Sequence, residues 1–193
     1  MTKRDTILAA ATELFATHGY SGTSTAQIAK KAGVAHGTVF HHFGNKENLL
    51  IEIGKKTMAD YIAGHRTLPL AHLSGWGALE RSIRFHLAHF QREFQALFVL
   101  LREMHRVMAP GVACANTELF RDGIREITAA RCAMIDRGKG DGSIRPCDTE
   151  ETALIIDSLL SGIIHSSIKG LVQLPDLTEA AVEFCSRSLK QET

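Results

Sequence analysis

The chain has 193 residues, 45% of them hydrophobic and 22% charged, with a formal net charge of +1. An apolar fraction that high beside so little net charge excludes a disordered chain, and the length suits one or two folded domains. Residues 1–56 hold seven Lys/Arg against four Asp/Glu, a local net charge of +3 that leaves −2 for the remainder, so a mildly basic N-terminal segment precedes a mildly acidic body.

The first helix is marked by Ile7, Leu8, Ala11, Leu14 and Phe15 at helical spacing, closed by Gly19-Tyr20. Asp5 and Glu13 within this pattern fit neither a signal nor a transit peptide. Ser24 with Gln27 has the form of a capping box and predicts a helix from Thr25 to about Ala32. Gly33 follows, then Val34 and a short helix holding Val39, Phe40 and Phe43. Asn45 caps a further helix running to about Gly64. Pro69 and the stretch Ser74 to Gly77 predict a loop. Trp76, Leu79, Ile83, Leu87, Phe90, Phe94, Leu97, Leu101, Met104 and Met108 form one apolar face whose length predicts a break near Gln91 to Glu93, with Pro110-Gly111 ending it. Phe120, Ile124, Ile127 and Met134 mark the next helix, and Gly138 to Gly142 with Pro146 predicts a loop. Asp148 and Glu151 suggest a second capping box before a helix over 153–174, and Thr178 is the expected cap of a last helix to Lys190. No period-two strand of useful length occurs. The expected fold is all-α with about nine helices.

The segment from Ser24 to Lys46 carries the chemistry. A small Ala29 where two helices cross, Gly33 free to take positive φ in the turn, and Val34 with Val39 locking the second helix on the first define a helix-turn-helix. Ile7 to Phe15, Gly19-Tyr20, Thr23 to Ala29, Ala32-Gly33-Val34, Gly37-Thr38-Val39-Phe40, His42-Phe43 and Lys46 to Leu49 together resemble the N-terminal domain of the TetR family of bacterial transcriptional regulators. The resemblance covers about the first 50 residues. It implies a three-helix DNA-binding domain over 1–48, joined by the helix over 45–64 to an effector-binding and dimerisation domain over 49–193. It further implies a homodimer on a palindromic operator, most often a repressor released by a small molecule. Thr25, His36, Gly37, Thr38, Phe40, His41, His42 and Lys46 then face DNA.

Thr25 joins a hydroxyl to the positive end of a helix, a seat for phosphate. Lys46 stands at a helix start, where the dipole disfavours a cation and a nearby phosphate would relieve the conflict. His36 takes a position where the family often has lysine or arginine, and Phe40 stands where tyrosine is more usual, leaving apolar contact in place of a hydroxyl. His41 and His42 serve either as phosphate contacts or as packing groups.

In the body, the resemblance makes Trp76, Phe85, His86, His89, Phe90, Phe94, Phe98, Leu101, Met104, His105, Phe120 and Ile124 the expected wall of an effector cavity, against plain core packing. The Met and Phe content points to an apolar or aromatic effector. His86 and His89 share a helix face, but no thiolate or convergent carboxylate accompanies them, and neither a metal nor a cofactor is expected. The helix over 153–174 is apolar on two faces, one for the body and one for a second copy of the chain. Ser158, Ser161, Gly162, His165 and Ile168, with Phe184 on the last helix, are the expected dimer contacts. Leu154 to Leu174 carries Asp157, His165 and Lys169, so no membrane span is expected, and Cys114, Cys132, Cys147 and Cys185 show no CxxC spacing, which suits a reducing cytoplasm. No catalytic residue is expected, since neither a nucleophile elbow nor a phosphate-binding glycine loop occurs. The alternatives are a regulator without an effector that acts through a protein partner, and a helical enzyme.

Overall fold

The computed structural model describes residues 2–107 and 114–191, with side chains described except at 104–119 and 174–176. Among the described residues the secondary structure is helical: α1 (Lys3–His18), α2 (Thr25–Ala32), α3 (His36–Phe43), α4 (Lys46–Arg66), α5 (Gly75–Arg92), α6 (Phe94–Val107), α7 (Cys114–Asp141), α8 (Thr149–Ile168) and α9 (Leu174–Leu189). The expectation of an all-α chain holds. The chain divides into two compact units, Met1–Asp60 with Glu93–Arg121, and Tyr61–Arg92 with Asp122–Thr193.

The first unit is built on a core of Ile7, Leu8, Ala11 and Phe15 from α1, Ile28 and Ala29 from α2, Val39 and Phe43 from α3, Leu49, Leu50 and Ile53 from α4, and Ala96, Val99 and Leu100 from α6. Thr2 closes a capping box with Asp5 at the start of α1, and Gly19 receives its end. Ser24 and Gln27 form the expected reciprocal box at α2. Gly33 adopts φ 66°, ψ 31°, the left-handed conformation that glycine enters without a Cβ penalty, and its amide bonds back to Ala29 and Lys30. Asn45 accepts from the Asn48 amide at 2.8 Å to open α4.

The second unit places Trp76, Leu79, Ile83 and Leu87 of α5, Ile127 and Ile135 of α7, Ala153, Ile156, Leu160 and Ile164 of α8, and Val182, Cys185 and Leu189 of α9 in its interior. α5 contacts α8 and α9, which also contact each other.

Four expected boundaries are corrected here. Gly138 to Gly142 is not a loop until its end: α7 runs to Asp141, and only Gly142, at φ 75°, leaves the helix. Gly75 to Gly77 likewise belong to α5, whose first turn is capped by Ser74 accepting from the Gly77 amide at 3.1 Å. The two errors have one cause. Gly75 lies against Gly138 so closely that a Cβ on Gly75 would stand 2.0 Å from the Gly138 nitrogen, so these glycines permit a helix contact and do not interrupt helices. The helix expected over 153–174 is displaced: α8 begins at Thr149, with Asp148 accepting from the Glu151 amide at 2.8 Å, and ends at Ile168 before Gly170 turns at φ 70°. Leu174 therefore opens α9, with a proline in its first turn, and Thr178 lies inside that helix instead of capping it. The expected break in the long apolar stripe falls between Arg92 and Phe94. The expected stop at Pro110-Gly111 lies outside the described residues.

Candidate nucleic-acid interface

The helix-turn-helix is fixed from beneath. Val39 and Phe43 point α3 into the core with Ile28 and Ala29 of α2. That leaves His36, Gly37, Phe40, His41 and His42 exposed, with Thr38 half-buried. Phe40 is 69% exposed, an unusual position for a large aromatic ring on a helix of only eight residues. A Cβ on Gly37 would meet nothing within 4 Å, so the backbone at the start of α3 is open to close approach. Ala35 caps α3 without a side-chain hydrogen bond.

Thr25, in the first turn of α2, has its hydroxyl 2.9 Å from His36 Nε2, which joins the starts of the two helices. The Lys46 ammonium donates to the carbonyls of Tyr20 at 2.8 Å and Thr23 at 2.9 Å and lies 4.3 Å from the Tyr20 ring centroid. The expected dipole conflict at this helix start is thus met by two carbonyls and a ring of the α1–α2 connection, and one N–H of the ammonium remains for a further acceptor. His41 and His42 stand edge to face, with ring centroids 5.5 Å apart.

The residues expected to line an effector cavity fall in both units. Trp76, His86 and His89 are buried and Phe85 and Phe90 half-buried in the second unit, where Ile124 is exposed. Phe98, Leu101 and Phe120 are half-buried in the first, where Phe94 is exposed, and the side chains of Met104 and His105 lie outside the described set. Of the expected dimer residues, Ser158, Ser161, Gly162, His165 and Phe184 are exposed and Ile168 is half-buried. Leu154 and Ile155, each 63% exposed, extend the same α8 surface, and Phe184 is 59% exposed.

Sequence reasoning missed a buried polar cluster in the second unit. Arg131 of α7 is ion-paired with Asp157 of α8, whose other oxygen accepts from the Thr128 hydroxyl at 2.6 Å. Arg131 Nη2 also donates to the Tyr61 hydroxyl at 3.4 Å and to His86 Nδ1 at 3.2 Å, and Tyr61 Oη lies 2.6 Å from that same Nδ1. His65 Nε2 is 2.9 Å from the Ser82 hydroxyl. The rings of Tyr61, Phe85, His86, His89 and Phe90 pack around this network, with His86 stacked on Phe90 at 4.6 Å. The signal was present: Arg131 occupies a position of the stripe Phe120, Ile124, Ile127, Met134 where the helical period calls for an apolar residue.

Burial, first, and then the Arg131 charge lower the His86 value well below that of a free histidine, and the same two causes lower His65. Burial raises the Tyr61 phenol and lowers Arg131. Both histidines are therefore folded as neutral groups, whereas the unfolded chain protonates them near pH 6.5. Below that point the unfolded state binds more protons, so stability falls as pH falls. The lowered carboxylates Asp136, Asp141 and Glu179 lose their contribution only below about pH 4.5, outside this window. Thermal melts should show a flat midpoint from about pH 8 to 7 and a decline from about pH 6.5 to 5, made shallower by His86→Gln. A midpoint level down to pH 5 would contradict neutral burial of these rings.

Among the described residues no group of three or more His, Cys, Asp or Glu is placed to hold a metal ion, and no helix is long and apolar enough to cross a membrane. Cys132, Cys147 and Cys185 are free thiols.

A recognition helix held by Val39 and Phe43, with a polar and aromatic outer face, defines a helix-turn-helix DNA-binding protein. The sequence pattern of the family described as bacterial regulatory proteins, tetR family, matches residues 7–53. The HTH-type transcriptional regulator YhgD of Bacillus subtilis, described as uncharacterized, is 29% identical over 171 residues, 84% of this chain and 82% of that protein. The HTH-type transcriptional repressor AcnR of Corynebacterium jeikeium is 40% identical over 52 residues, 27% of this chain and 28% of that protein. The crystal structure of a bacterial regulatory protein in the tetR family from Rhodococcus RHA1 superimposes with a TM-score of 0.81 over the whole of both chains, at 22% identity. These matches give residues 7–53 the sequence pattern of a tetR-family DNA-binding segment and the whole chain the fold of a solved tetR-family protein. The two relatives are named as a transcriptional regulator and a transcriptional repressor.

Proposed function

We propose that the protein is a cytoplasmic homodimeric repressor that binds a palindromic operator and is released by a small apolar or aromatic effector. The observation that carries the DNA reading is the α3 surface: His36, Gly37, Phe40, His41 and His42 stand out on a helix whose Val39 and Phe43 are locked into the core. Residues 1–48 act as the reading head and 49–193 as the effector and dimerisation region. α3 enters the major groove, where Phe40 meets apolar base edges such as thymine methyls, and Gly37 lets the backbone approach phosphate. Thr25 and His36, already paired at 2.9 Å, present adjacent donors to one strand, and the third N–H of Lys46 reaches a phosphate. Repression is favoured by the likeness to a relative named as a repressor. Effector release requires a ligand that binds one of two dimer states better than the other.

Selection of random duplex DNA by the purified protein tests this reading. Enrichment of an inverted repeat, with affinity falling linearly against salt on logarithmic axes, is the expected result. Salt-sensitive binding without enrichment of any sequence would overturn it.

The dimer rests on the outer face of α8, where Leu154, Ile155, Ser158, Ser161, Gly162 and His165 recur at helical spacing, joined by Phe184 of α9. A Cβ on Gly162 would meet nothing within 4 Å, leaving room for close helix approach. Leu154→Glu with Ile155→Glu should halve the sedimenting mass while leaving helicity unchanged. An unaltered mass would remove α8 from the interface.

A further inference from the structure

The buried cluster of the second unit is one acceptor short. Arginine donates only, so His86 Nδ1 must accept from Arg131 and from the Tyr61 hydroxyl, and the imidazole proton is thereby placed on Nε2. That Nε2–H is buried with no partner among the described residues, and so is the Nε–H of Arg131. Buried donors in folded proteins are almost always satisfied, because each one left open costs about 1–3 kcal/mol. Two open donors around a single ion pair indicate a site completed by a molecule that brings oxygen lone pairs.

Charge narrows the class. Arg131 is already balanced by Asp157, and the remaining described groups facing the cluster are Tyr61 and His65 from α4, Ser82, His86 and His89 from α5, Thr128 from α7 and Cys185 from α9, while Glu126, the further carboxylate that acts on His65, is held through both oxygens by Arg66. A carboxylate ligand would leave a net negative charge buried, and an ammonium ligand would stand beside Arg131 and offer no lone pair. The rings of Tyr61, Phe85 and Phe90 supply a flat apolar surround, with Phe85 and Phe90 the half-buried members. We infer that this cluster takes an uncharged carbonyl compound on an aromatic or alicyclic body, its oxygen accepting from His86 Nε2–H and Arg131 Nε–H. The inference rests on the small-molecule effector reading above and names the chemical class of that effector.

The test uses the full chain with imidazole nitrogens labelled by 15N and four matched probes: acetophenone, benzoate, benzylamine and ethylbenzene. The expected result is saturable binding of acetophenone in preference to the other three, with a shift of the His86 Nε2–H resonance. His86→Phe should weaken that binding about tenfold and His86→Gln, which keeps a donor, should restore most of it. Preference for benzoate or benzylamine, or binding that leaves the Nε2–H resonance unmoved, would overturn the carbonyl assignment while leaving an effector in place. If His86 Nε2–H resonates as a bonded proton in the free protein, the open-donor argument fails whether or not the variants fold. Release of operator DNA, measured on a broader compound set, separates the two readings. Charged releasing compounds alone would sink only this inference, and no release by any compound would sink both.

Discussion

Asp157→Ala is expected to lower the unfolding free energy by about 3–5 kcal/mol, whereas Arg131→Met is expected to cost no more than about 1 kcal/mol, although both break the same ion pair. The asymmetry follows from burial. The Arg131 side chain is 2% exposed and the Asp157 side chain 20%. Without Asp157, the guanidinium is left with a phenol and an imidazole nitrogen, neither of which carries a balancing charge. Without Arg131, the carboxylate keeps the Thr128 hydroxyl at 2.6 Å and its share of solvent, while Tyr61 and His86 remain within 2.6 Å of each other. Methionine also fills most of the volume with apolar contact. The double variant should lie closer to Arg131→Met than to Asp157→Ala, because removing the cation removes the cause of the larger loss. Urea unfolding of the three variants measures all of this, and equal losses in the two single variants would show that Arg131 finds another counter-charge or water.

The N-terminal helices were legible because their signals are local. Ser24 with Gln27, Gly33 at the turn and Asn45 at the next helix each act within three or four residues, and the structure places each in that role. Those capping and turn preferences depend on backbone groups close by, which a sequence displays directly. The recognition helix followed from Val39 and Phe43 at helical spacing, which also settles which residues are left outside. The body was less legible because its determinants are distant. Arg131 reads as a break in an apolar stripe until Asp157, Tyr61 and His86 are brought to it from three other helices. The helix end at Ile168 was hidden by the apolar residues beyond it: Leu171 continues the pattern, yet it is exposed, and the positive φ of Gly170 has already turned the chain. Likewise, the choice between glycine as a helix stop and glycine as a contact point cannot be made from one segment. Gly138 serves Gly75 of α5, which lies 63 residues earlier in the chain.

That contact yields the sharpest stability contrast in the molecule. Gly75→Ala is expected to destabilise the second unit by about 3 kcal/mol, whereas Gly140→Ala is expected to stabilise it by about 0.5–1 kcal/mol. A Cβ on Gly75 would lie 2.0 Å from the Gly138 nitrogen, 2.2 Å from its Cα and 2.6 Å from the Met134 carbonyl oxygen. All three are backbone atoms of α7, so no side chain can swing aside, and α5 must lift from α7. Lifting it strains the Gly75 amide bond to Asp141 at 2.7 Å and the Trp76 amide bond to Ser143 at 3.0 Å, and it loosens the buried Trp76 ring. Gly140 sits two residues along in the same helix, where a Cβ would meet nothing within 4 Å. There alanine only removes conformational freedom from the unfolded chain. The two substitutions add the same methyl group to the same kind of residue, so a difference in sign between their melting shifts isolates the close approach of α5 to α7 as the cause. Stabilising shifts from both would mean that Gly75 and Gly140 both act as ordinary helix glycines and that α5 is seated by its side chains alone.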